Sequence, residues 1–287
     1  MGNFKIIGKG VSAVRRNSRM TLWLWLIDFL FGIIVAAPVY FFVNKDFGHS
    51  PAGEGLRGMS FTWLGDSIYK YQELLPALAG WVLVPALFFI LVSIFLNGGI
   101  IGRLAAGEKT TLQGFFADCG KYFGRFFRVF LLSLPVYILV FGGLLKLVSA
   151  PFKLWAKNAG GEMPVIIASN LRFLVTILIL SIVQMYFDYV KIHLAAREGR
   201  KVLAAAAAAL SFVGRKFFKA WGLYLLVGLL FIAATAVFIV LTNVLAGTGV
   251  VALVLGFILA QAYILARIFA KVLFFASELD LYRILRP

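Results

Sequence analysis

Residues 121–130 read KYFGRFFRVF and run directly into LLSLPVYILVFGGLL, residues 131–145. Five aromatic and three cationic side chains share the first ten positions, and the next fifteen carry no charge. The same order returns at 213–222, VGRKFFKAWG, ahead of another uncharged apolar run. Rings and cations beside such a run anchor a helix at a membrane surface. Aromatic rings favour the headgroup level, and Arg and Lys stems extend along apolar surface while their charged tips reach phosphates. Bases can stack on rings of this kind, but a nucleic-acid stripe needs a water-facing basic surface. Here the cations stand at the edges of apolar runs, so nucleic acid is not an expected partner.

Composition agrees. The chain has 287 residues, 62% hydrophobic and 14% charged, whereas a soluble domain usually carries about 25% charged residues. Too few polar groups remain to cover a water-facing surface. Six segments are long and apolar enough to cross a bilayer core, which takes about 20 residues of helix: 20–43, 74–97, 127–147, 164–187, 220–243 and 249–275. Lipid offers no partner to a free backbone N–H or C=O, so these segments are expected to be helices. The first run is longer than a signal-peptide core and contains Asp28, so it reads as a retained span. The expected fold class is an all-α membrane protein whose six transmembrane helices form three hairpins, with interfacial amphipathic helices on the cytoplasmic side. Residues 1–287 read as a single six-span transmembrane domain.

The distribution of cations orients these spans. Of 28 Lys and Arg residues, 21 flank the spans on the side that holds both termini and seven lie on the other. Cytoplasmic loops carry the excess of Lys and Arg, which places both termini in the cytoplasm, in a bacterial inner membrane. Between spans, residues 44–73 form the longest outer loop, and its second half, FTWLGDSIYKYQ, has the pattern of a short amphipathic helix. The segment 148–163 reads as a basic outer loop.

An internal repeat runs through the chain. Arg125-Phe126-Phe127-Arg128 precedes span three, Lys216-Phe217-Phe218-Lys219 precedes span five, and Arg16-Asn17-Ser18-Arg19 precedes span one. Each places two cations three residues apart, on one helix face. The even spans run into RLAAGE, HLAARE and LFFASE, ending at Glu108, Glu198 and Glu278. Three hairpins of similar build account for this. Anionic lipid in the cytoplasmic leaflet attracts juxtamembrane cations by about 1 kcal/mol each. Arg16, Arg19, Arg125, Arg128, Lys216 and Lys219 are therefore the expected lipid-binding residues. The two linkers 98–128 and 188–219, the second with alanines at 204–209, are expected to place helices along the cytoplasmic surface of the bundle.

Ionisable residues inside a membrane mark functional positions. Asp28, Asn97, Gln184, Asp188 and Arg267 form the expected intramembrane polar cluster. Asn97 and Asp188 correspond across a 91-residue offset, and Gln184 lies one turn before Asp188. The cluster reads either as an interhelical hydrogen-bond and ion-pair network or as a polar vestibule. Gly142-Gly143 is a break within span three.

No catalytic residue is assigned. The sequence holds no P-loop, HExxH or GxSxG pattern. Asp28 and Asp188 lack the GxGD-type context of aspartyl intramembrane proteases. One cysteine, Cys119, and two distant histidines supply no metal-ligand spacing. Neither a cofactor nor a metal is expected.

The stretch FDYVKIHLAAREGRKVLAAAAAALSFVGRKFFKAWGLYLL, 187–226, resembles a pattern of six-helix bacterial membrane proteins. These are similar to the membrane region attached to some glycerophosphodiester phosphodiesterases. The resemblance covers about 40 residues, carried by D-Y-x-K at the end of span four and the basic-aromatic stretch entering span five. It implies an envelope or lipid role. The catalytic domain of those phosphodiesterases has no counterpart here, so none of their catalytic residues carries over. The expected role is non-enzymatic: a membrane module that engages anionic lipid or a partner protein. The alternative is a transporter or channel for a small anionic or amphipathic solute, passing through the polar cluster.

Overall fold

A computed structural model describes residues 2–47, 75–107, 109–159, 161–245 and 249–285. Their regular structure is helical throughout, with no strand among the described residues. The helices are α1 (Asn3–Arg16), α2 (Ser18–Phe47), α3 (Leu75–Ala106), α4 (Leu112–Leu139), α5 (Leu145–Ala159), α6 (Glu162–Ala196), α7 (Val202–Arg215), α8 (Phe217–Val244) and α9 (Val250–Leu285). A π-turn, Val140–Leu144, joins α4 to α5. Among the described residues, six helical stretches are long and apolar enough to cross a membrane, as a polytopic membrane protein requires: Ser18–Ala37, Val82–Ala106, Leu112–Ala159, Glu162–Ala196, Phe217–Val244 and Val250–Leu285.

The chain divides into two compact units. Trp23–Ser93 forms one, and Met1–Leu22 with Ile94–Pro287 forms the other. Within the smaller unit, Phe31 of α2 meets Phe88 and Phe89 of α3, at ring-centroid distances of 5.7 and 5.2 Å. Asp28 is half-buried on α2 in this unit.

In the larger unit the core sits at one end. Ile100 and Ile101 of α3, Phe115, Cys119 and Phe126 of α4, Tyr189 and Ile192 of α6, and Val272 and Leu279 of α9 are buried. Farther along α4, α6 and α9, Leu139, Phe173 and Leu253 are exposed, as are Ile232 and Val237 of α8. Apolar side chains facing outward along a helix of this length suit hydrocarbon as solvent. Burial therefore concentrates where the polar linkers must be held.

Three contacts build that end, each using small residues to bring helices close. On α3, Gly98, Gly99 and Gly102 face Phe115, Asp118, Cys119 and Tyr122 of α4. A Cβ on Gly99 would stand 2.5 Å from Cys119 Sγ. On α7, Ala205, Ala206 and Ala209 are buried, α7 packs on α6, and Tyr186 Oη of α6 donates to the Ala206 carbonyl at 3.2 Å. On α1, Ile6, Ile7, Gly10 and Val14 form the buried face, packed along α9. Polar contacts add to these. Arg103 Nε donates to Asp118 Oδ2 at 2.5 Å, Thr110 Oγ1 donates to Asn17 Oδ1 at 2.7 Å, and Arg283 caps the Ala105 carbonyl at the end of α3.

The linkers differ from expectation in two ways. Residues 112–126 do not form a separate surface helix; α4 continues unbroken from Leu112 through the third span. Its glycines do not interrupt it, because a helical glycine costs only about 1 kcal/mol relative to alanine and the aromatic residues between them pack. By contrast, α1 and α7 end at Asn17 and Lys216, whose φ values of −108° and −124° break the helix. The segment 148–163 is not a loop but mostly helix α5, which packs along α6. Gly142-Gly143 falls in the π-turn, which begins five residues past Pro135. Glycine and proline there loosen the regular ladder, as is usual for such turns. The amphipathic stretch expected within 44–73, and Glu108, lie outside the described residues.

Candidate functional site

A half-buried polar chain crosses from α4 to α6. Tyr137 Oη donates to Gln184 Oε1 at 2.8 Å. Gln184 Nε2 donates to Asp188 Oδ1 at 3.2 Å, and Lys191 Nζ donates to the same oxygen at 2.8 Å. Gln184, Asp188 and Lys191 share a face of α6 because they are spaced by four and three residues. The side chains of Asp188 and Lys191 are 6% and 15% exposed, so this pair is largely shielded from water. Removing either partner would strand a charge. Asp188 lies eight residues before the end of α6, about 12 Å along the axis at 1.5 Å per residue.

Two clefts flank this chain. One of about 210 Å³ is lined by Asn97, Ser133, Tyr137, Gln184 and Lys191 among apolar residues of α3 and α4. The other, of about 270 Å³, is lined by Asn97, Gln184, Asp188, Lys191, Arg267 and Lys271, with Tyr224, Phe231, Phe274 and Phe275 as its apolar wall. The second cleft holds three cations against one carboxylate. Lys191 also stands over the Phe275 ring, 5.9 Å from its centroid, which helps hold the ammonium in an apolar setting.

Glu278 is a further member. It lies inside α9, is 1% exposed, and neither carboxyl oxygen has a hydrogen-bond partner. It interacts electrostatically with Asp188 and Lys191. Tyr189 Oη and Asn97 Oδ1 are likewise buried without a partner. Buried polar atoms are almost always hydrogen-bonded, so this concentration of unpartnered atoms around one ion pair sets the region apart.

Of the five residues expected to form the intramembrane cluster, Asn97, Gln184, Asp188 and Arg267 line the same cleft. Asp28 belongs to the other compact unit. Sequence reasoning left out Lys191, Tyr137 and Glu278. The spacing of Lys191 from Asp188 was a usable signal. Tyr137 gave none, since it meets Gln184 across 47 residues. The Glu198–Glu278 correspondence does not extend to their surroundings. Glu278 is buried mid-helix, whereas Glu198 lies past the end of α6 with φ +51° and pairs with Lys121 at 2.6 Å. That ammonium holds the Glu198 carboxyl below the ordinary glutamate value, with Arg125 adding to the effect.

Of the six residues expected to contact lipid, Arg16, Arg19, Arg128, Lys216 and Lys219 are exposed. None of these five forms an ion pair with a described carboxylate. Arg125 is half-buried, its guanidinium over the Tyr122 ring at 5.3 Å, and is held more by the protein than by its surroundings. Among the described residues no group of three or more His, Cys, Asp or Glu is placed to hold a metal ion. No family model matches the chain, and neither a curated protein nor a solved structure matches it.

Proposed function

We propose that this chain is a multi-pass inner-membrane protein, built from three helical hairpins, whose cytoplasmic end engages anionic lipid. The observation that carries this reading is the set of exposed cations without carboxylate partners: Arg16, Arg19, Lys216 and Lys219 at the starts of the first and fifth spans, and Arg128 directly before the uncharged run 129–145 of the third. A cation left unpaired beside a long apolar surface finds its counter-ion in a lipid phosphate, at about 1 kcal/mol each. The excess of 28 cations over 12 carboxylates supports the same reading, as does the resemblance to membrane regions attached to lipid-related phosphodiesterases. The helices α1 and α7, each with one buried face and exposed cations, then lie at the cytoplasmic interface. The test is native mass spectrometry of the full chain with mixed phosphatidylglycerol and phosphatidylcholine. Wild-type protein is expected to retain phosphatidylglycerol preferentially. The variant carrying Arg16→Gln, Arg19→Gln, Arg128→Gln and Lys219→Gln is expected to lose that preference. No preference in the wild-type protein would refute the reading.

A second reading, a transporter for an anionic or amphipathic solute, is favoured by the cleft that reaches Asp188 beside Lys191, Arg267 and Lys271. Proteoliposome uptake of a fluorescent amphipathic anion tests it. Under this reading Lys191→Met lowers uptake, and the absence of uptake by wild-type protein refutes it.

A further inference from the structure

A separate pocket of about 350 Å³ lies between the end of α6, the last turns of α7 and the end of α9. Arg197, Arg215 and Lys216 contribute to its lining, and among the described residues no Asp or Glu does. Its base is aromatic and ordered. Tyr282 is 3% exposed, its hydroxyl is hydrogen-bonded to His193 Nδ1 at 2.8 Å, and its ring meets Phe212 at 5.1 Å. The C-terminal carbonyls of α6 and α7 favour cations at this place, but the three side chains are exposed and make no ion pair with a described residue. The result is a concave site with a cationic rim and an aromatic base. An arginine fork donates two parallel hydrogen bonds to a phosphate, a match that a single ammonium cannot make. The apolar base suits the carbon atoms next to a phosphate rather than a bare ion.

We propose that this pocket binds a phosphate ester, with its anion held by Arg197, Arg215 and Lys216. The proposal deepens the lipid reading by assigning a discrete site, and the two share only Lys216. A lipid phosphate and a free phosphate are its two sources.

Full-length protein in a neutral detergent is titrated with phosphatidic acid and with phosphatidylcholine, and binding is read by native mass spectrometry. The wild-type chain is expected to retain one phosphatidic acid preferentially. In the variant carrying Arg197→Gln and Arg215→Gln, that affinity is expected to fall by about tenfold or more, the scale of losing a charged hydrogen bond. The variant with Lys146→Gln and Lys157→Gln, exposed cations of α5 outside the pocket lining, is expected to keep the bound lipid. Arg197→Lys with Arg215→Lys keeps the charge and removes the fork, and is expected to weaken binding to an intermediate degree. Thermal unfolding shows that each variant is folded. Displacement of phosphatidic acid by excess inorganic phosphate assigns the site to free phosphate as well, whereas resistance to displacement assigns it to lipid. Unchanged binding in the folded Arg197→Gln, Arg215→Gln variant overturns the pocket. If the four-cation variant described above loses its phosphatidylglycerol preference at the same time, the lipid reading still stands. No preference for either anionic lipid in the wild-type chain removes both.

Discussion

Gly10 of α1 lies so close to Ser277 of α9 that a Cβ added to the glycine would stand 2.5 Å from the serine Oγ, and 2.9 Å from Leu273 Cδ1. The N-terminal helix is thereby pressed against the last helix, and the chain's two ends close on each other. Ser277 Oγ is itself buried without a hydrogen-bond partner. Gly10→Ala is expected to lower stability by about 1–2 kcal/mol, the usual cost of overfilling a packed contact. Adding Ser277→Ala removes the nearest atom and is expected to recover much of that loss. Thermal unfolding of the single and double variants in detergent measures both, and additive losses would count against the contact.

The Asp188–Lys191 pair gives a sharper expectation. Lys191→Met leaves a carboxylate that is 6% exposed without its ammonium. A loss of about 3–5 kcal/mol is expected, the range for breaking a buried pair from one side. Asp188→Asn combined with Lys191→Met removes both charges, while the amide oxygen introduced at that position still accepts from Gln184. The double variant is expected to be clearly more stable than Lys191→Met alone. A double-mutant cycle on unfolding midpoints decides this.

Glu278 invites the opposite substitution. Its carboxyl oxygens are buried and unpartnered, so Glu278→Met, similar in volume, is expected to raise stability by about 1–3 kcal/mol. An ionisable side chain inside a membrane helix marks a candidate functional position. Lipid retention and solute uptake, measured on the stabilised variant, show which activity depends on the carboxyl. A lower unfolding midpoint for Glu278→Met would overturn the expectation.

Glu198 combines two effects of opposite sign. Its φ of +51° disfavours any side chain, and Glu198→Gly is expected to relieve about 1 kcal/mol of strain. The same change removes the exposed Lys121 pair, a type of contact that contributes little at a surface. Net stability at neutral pH is therefore expected to hold or rise for Glu198→Gly and to fall slightly for Glu198→Gln. The folded carboxyl titrates below the ordinary glutamate value of 4.5. Its contribution is thus full above that value and is lost as pH falls through the lower folded value. The wild-type and Glu198→Gln midpoints are expected to converge over that acidic range.

Much of the architecture was legible in the sequence because hydrocarbon imposes one solution on any apolar run of about 20 residues. A backbone without water must bond to itself, so span number follows from counting. That Asn97, Gln184, Asp188 and Arg267 come to one cleft was legible too, since depth along a helix is linear in residue number. Interruptions were less so. The run 112–126 has glycines yet stays helical, while Asn17 and Lys216, ordinary polar residues, end their helices.

The sequence alone determined the six helices, among the described residues, that are long and apolar enough to cross a membrane, because solvent matching acts on each segment separately. Only the tertiary structure decided which side chains meet. Tyr137 reaches Gln184, Glu278 turns inward beside Asp188, and Arg197 joins Arg215 and Tyr282 around one pocket. Those encounters depend on the rotation of each helix about its axis and on how closely small residues let backbones approach. Neither is fixed by periodicity along one helix, because both are set by the shape of the neighbour.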